Sequence, residues 1–133
     1  MKHDDPYLEA MRYIENAEET LKLAGKEDKF YVDEKYVKSA CEIAYSGTLK
    51  ALDFLFDIRN VQKQRGRKSI EFYRTILATM DKKLLKLLNS AYNVLHLNCY
   101  YEGETKINVI KEGFDSAESI IEALKPYSKN GQD

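Results

Sequence analysis

Apolar positions recur along this chain at three- and four-residue steps, the spacing that puts them on one face of an α-helix. Asp5 and Pro6 form an N-cap and first-turn pair. Tyr7, Met11, Ile14, Ala17, Leu21 and Ala24 follow in register until Gly25, which predicts a first helix over residues 5 to 24. Residues 26 to 32 read as a charged connection carrying Phe30 and Tyr31, and Asp33 caps the next helix. That second helix, residues 34 to 59, would be about 39 Å long. Val37, Cys41, Ala44, Thr48, Leu52 and Leu55 make its stripe, with Tyr45, Leu49 and Phe56 widening it. Glu42, Ser46, Lys50, Asp53 and Asp57 are left as a narrow wet face, so this is the expected central helix. Gly47 inside it would cost up to about 1 kcal/mol relative to alanine, which points to a close approach by a neighbouring backbone.

After an interruption, Ser69 restarts the pattern as an N-cap, with Ile70, Tyr73, Ile76, Leu77 and Met80 facing inward. Asp81 caps a fourth helix built on Leu84, Leu87, Leu88, Ala91, Leu95 and Cys99 and closed by Gly103. A fifth runs from about Thr105 through Ile107, Ile110, Phe114, Ala117, Ile120, Ile121 and Leu124 to Pro126. No strand-like alternation competes with these periods. The short connections favour antiparallel neighbours, so the expected fold is all-α, a single up-and-down bundle of four to five antiparallel helices spanning residues 1 to 133, with flexible ends at about 1 to 4 and 127 to 133.

Composition narrows the classes of function. The 133 residues are 44% hydrophobic and 32% charged, a globular balance, and a chain of this size buries about two-thirds of its surface in one core. A net charge of −1 gives no global attraction to nucleic acid or anionic membranes. No apolar run approaches the roughly 18 residues that cross a bilayer, and the N-terminus lacks the apolar region of a secretory signal. Cys41 and Cys99 belong to neither a C-x-x-C pair nor a zinc-ligand spacing, so both read as small core residues and a reduced cytoplasm is the simplest compartment.

Candidate chemistry is sparse. A di-metal bundle needs a glutamate three residues before a histidine, but Asn93 precedes His96 at that spacing, and His3 with Asp4 and Asp5 lies at a chain end; no metal and no cofactor is expected. Cys99 as a nucleophile would depend on His96 three residues earlier, against the plainer reading of a buried thiol. Phosphate-loop, dinucleotide and nucleophile-elbow motifs are absent. The clearest surface feature is the basic stretch 59 to 68, with Arg59, Lys63, Arg65, Arg67 and Lys68 and no acid among them. It is either a polyanion or RNA contact, or a solvated loop balanced by the acidic first helix. Ten tyrosines are many for a core alone, and Tyr100 and Tyr101 at a helix end suit base stacking or an interface anchor.

The segments YVKSACEIAYSGTLKALDFLF, LLNSAYNVLHLNCYYEG and FDSAESIIEAL resemble helices of the HEPN domains, and the chain is also similar to small bacterial helical-bundle proteins known only as a domain of unknown function. The HEPN resemblance implies a bundle that often pairs as a two-fold dimer. In active members it implies a metal-independent ribonuclease with an arginine followed four to six residues later by a histidine. Here Ser90, Ala91 and Tyr92 stand at those distances before His96. If His96 takes the arginine place, Tyr101 stands where the histidine would be. Two readings follow. One is a non-enzymatic interaction module, a homodimer or a binder of a partner protein. The other is an RNA-binding protein or weak ribonuclease using the basic stretch with His96, Tyr100 and Tyr101.

Overall fold

The computed structural model describes residues 5–62 and 68–128. Helix α1, Pro6–Lys22, starts where Asp5 Oδ1 accepts the Leu8 amide at 3.1 Å. It ends before Gly25, whose φ of +70° turns the chain back as only glycine does without strain. A ribbon follows: β1, Lys26–Glu27, pairs antiparallel with β2, Phe30–Tyr31, in the register Lys26 to Tyr31 and Glu27 to Phe30. The other edge of β2 bonds to the segment before α5, with the Tyr31 amide on the Thr105 carbonyl at 2.9 Å and the Ile107 amide on the Lys29 carbonyl at 3.0 Å. The sequence pattern predicts no strand here, because two residues carry no period.

Helix α2, Glu34–Ile58, is capped by Asp33 and is central as expected, packed by α1, α5 and the chain after α4. Its stripe Val37, Cys41, Ala44, Leu52 and Leu55 is buried, and buried Thr48 is satisfied by donating to the Ala44 carbonyl at 3.1 Å. Gly47 faces α1, where a Cβ would lie 2.5 Å from Tyr13 Cβ. Helices α3, Ile70–Met80, and α4, Lys82–Ala91, begin at Ser69 and Asp81, whose side chains accept the Phe72 and Leu84 amides at 3.3 and 3.0 Å.

The fourth predicted helix does not stay α-helical. From Tyr92 to Tyr101 it opens into a π-helix, with Gly103 at φ +79° closing its end. Helix α5, Ile107–Ile121, then runs into a 3₁₀ turn, Glu122–Tyr127, that contains Pro126. Ser128, in the end read from sequence as frayed, is 1% exposed and donates to Asp5 Oδ2 at 2.8 Å, joining the C-terminal turn to the cap of α1. Among the described residues the architecture is an all-α bundle of five α-helices with one small ribbon. No helix among the described residues is long and apolar enough to cross a membrane.

The cysteines correct the sequence reading. Cys41 and Cys99, 58 residues apart and fully buried, form a disulfide between α2 and the π-helical segment. They were expected as separate core thiols. The helical stripes place both inward but cannot show that two stripes meet. A bonded sulfur is no thiolate, so Cys99 in this state does not act with His96 as a nucleophile.

Candidate functional site

The π-helical backbone creates the most distinctive surface. In an α-helix, residues five apart point about 140° away from each other. When hydrogen bonds close at i to i+5 the turn is wider, and neighbours four and five apart share a face. Tyr92, His96, Tyr100 and Tyr101 have that spacing. The His96 ring lies 5.5 Å from Tyr92, 6.0 Å from Tyr100 in a stacked arrangement and 5.0 Å from Tyr101 edge-on. On its inner side Tyr45 of α2 stacks on it at 4.7 Å.

Glu42, one turn before Tyr45, fixes the imidazole through Oε1, 3.1 Å from Nδ1. The pair is partly shielded, with the His96 side chain 21% exposed and Glu42 36%. A carboxylate on one ring nitrogen sets the tautomer and leaves the other for a partner. Tyr45 has its hydroxyl pushed far above the ordinary value, first by burial and then by the charges of Tyr92 and Glu42, so it stays protonated. Arg74 of α3 completes the edge. Its guanidinium lies 4.9 Å over the Tyr92 ring, and it donates to Asn89 and Glu71, each at 2.8 Å. The outer members are open: Tyr101 is 64% exposed and Tyr100 37%.

Of the residues singled out from sequence, the structure brings His96, Tyr100 and Tyr101 together and places the two described cations, Arg59 and Lys68, apart from them. Arg59 is exposed at the C-cap of α2, about 25 Å along that helix from Glu42. Lys68 is half-buried, with its ammonium 3.1 Å from Asp53. Lys63, Arg65 and Arg67 lie outside the described residues. The same Asp53 accepts the Tyr73 hydroxyl at 2.9 Å, and burial followed by that bond raises the Tyr73 pKa far above its ordinary value. Glu42, Tyr45, Tyr92 and Arg74 were missed as site residues. Glu42 reads as part of a solvated stripe and Tyr45 as core, and only the packing of α2 against the π-helical segment unites them. Among the described residues no cluster of three or more histidines, cysteines or acids could hold a metal.

A family model, "Domain of unknown function (DUF5618)", matches residues 5–125. The chain belongs to the DUF5618 family. Among solved structures it is similar to a protein of unknown function from Dyadobacter fermentans, at 45% identity and a TM-score of 0.82, over 90% of this chain and 93% of that one. No curated protein matches it. The DUF5618 match takes in every described member of the aromatic cluster and stops before the terminal contact of Ser128 with Asp5.

Proposed function

We propose that this chain is a non-enzymatic self-association module whose contact face is the open end of the aromatic cluster, Tyr100 and Tyr101 over His96. The observation that carries the reading is an exposed aromatic surface packed on a supported ring: Tyr101 is 64% exposed and meets His96 edge-on, while His96 is held by Glu42 and Tyr45. Tyrosines bring large contact area with few rotatable bonds, and side chains ordered in advance lose less entropy on binding. A net charge of −1 imposes almost no repulsion between two copies, which favours a second copy of this chain as the occupant. The same charge balance argues against a polyanion at this face, where Glu42 and Glu102 flank the rings and Arg74 is engaged by Asn89 and Glu71. A cytoplasmic location belongs to the same proposal, with the Cys41–Cys99 bond read there as a reversible one.

Sedimentation equilibrium across a concentration series tests it. The wild type is expected to dimerise, and Tyr101→Ala to weaken the dimer by about tenfold, the scale of losing one interface anchor. A wild type that stays monomeric at every concentration sinks the proposal. The HEPN-like alternative, RNA binding with weak cleavage, is favoured by one feature, the carboxylate-oriented imidazole of His96. Salt-sensitive RNA anisotropy and cleavage lost in His96→Ala would replace self-association with that reading.

A further inference from the structure

We infer that the Cys41–Cys99 disulfide is a redox-controlled tether on the aromatic face, made and broken by thiol–disulfide exchange, and that its state sets how His96, Tyr100 and Tyr101 are presented. The biological consequence rests on the self-association reading, whereas the structural coupling stands apart from it.

The two elements that carry the disulfide also carry the cluster. Cys41 adjoins Glu42 on α2, Cys99 adjoins Tyr100, and His96 is one turn earlier on the same segment. The inward side of the π-helical segment is thus bonded to α2 through sulfur, while its outward side is bonded to α2 through the 3.1 Å contact of His96 with Glu42. A displacement of the segment at the first link therefore moves the second. Both cysteines are fully buried, so breaking the bond leaves two thiols in a packed core, which adjusts by rotation of their side chains or by displacement of the segment from α2.

The reduced state is also provided for. Cys99 Sγ lies 3.5 Å from the Val37 carbonyl oxygen, an acceptor that a thiol would use and a disulfide sulfur does not need. The chain has two cysteines in all, so there is a single intramolecular pairing. In the oxidising direction one cysteine thiolate attacks a sulfur of a small disulfide such as glutathione disulfide, expelling one small thiolate and forming a mixed disulfide. The second cysteine thiolate then displaces the remaining small thiolate. Two protein thiols lose two protons and two electrons, and the small disulfide becomes two thiols. Because neither sulfur is exposed, exchange passes through local opening of the π-helical segment from α2.

The test equilibrates the full chain in glutathione buffers from reducing to oxidising. It follows ring resonances of His96, Tyr100 and Tyr101 by NMR and, in the same samples, dimerisation by sedimentation. Resonances that move with the redox poise, and self-association about tenfold weaker on reduction, the size of a moderate coupling between two sites, are the expected result. Cys41→Ala/Cys99→Ala should show no redox response. Unchanged resonances on full reduction overturn the inference, as does a disulfide that glutathione cannot reduce in the folded protein, which would make it a permanent staple. Rings that shift in a protein monomeric throughout would retain the tether and dismiss self-association. Dimers of equal strength in both states, with unmoved rings, would do the reverse.

Discussion

At the scale of single residues, Glu118 is a carboxylate whose surroundings disfavour its charge. Burial first, then the neighbouring Glu18 through charge and a shared hydrogen bond, then Asp115 and Glu122, all raise its carboxyl above the ordinary 4.5. Lys111, whose charge reaches Glu118, is paired with Asp115 at 2.9 Å. An acid whose folded pKa is raised binds its proton more tightly in the folded state. Its stabilising contribution is therefore complete below 4.5 and is lost as pH rises through the higher folded value. Glu118→Gln should raise the melting temperature at neutral pH and flatten the fall in stability above pH 4.5, measured by thermal denaturation across pH. An unchanged slope would show that Glu118 does not carry it. That Glu118 meets Glu18 was not legible in the sequence, because each belongs to an ordinary polar face and the two are 100 positions apart.

At the scale of elements, helix starts were the most legible feature. Asp5, Asp33, Ser69 and Asp81 all cap as their residue types predict, since the contact is made within three residues and needs no tertiary partner. Gly47 was legible as a close approach, though not as an approach by Tyr13. A methyl there gains up to about 1 kcal/mol of helix propensity. Against this, a Cβ at 2.5 Å from Tyr13 Cβ has no flexible group to push aside. Overpacking of this kind costs about 1 to 3 kcal/mol. Gly47→Ala should therefore lower the urea midpoint, and a rise would mean that α1 slides without penalty. The π-helical segment was illegible. Leu95 and Cys99 keep the four-residue step, so the periodicity fits a continued α-helix, while the wider turn shows only in where Tyr101 points.

At the scale of the whole molecule, the bundle is closed by the contact between its ends. Ser128 donates to the oxygen of Asp5 that does not cap α1, so one aspartate serves the first helix and the last turn. Ser128→Ala should destabilise by about 1 kcal/mol, the net worth of one such hydrogen bond, read as a shift in the denaturant midpoint. No shift would mean that the C-terminal turn adds nothing to the closure. The sequence by itself determined where the helices lie, the caps at Asp5, Asp33, Ser69 and Asp81, and the inward faces, because each depends on spacing within a few residues of the same chain. Tertiary structure alone decided that Cys41 meets Cys99, that Glu42 meets His96 beneath the tyrosines, and that the basic stretch begins at the far end of α2 from them. Those outcomes depend on which helical stripes face each other and at what height, and no local period carries that information.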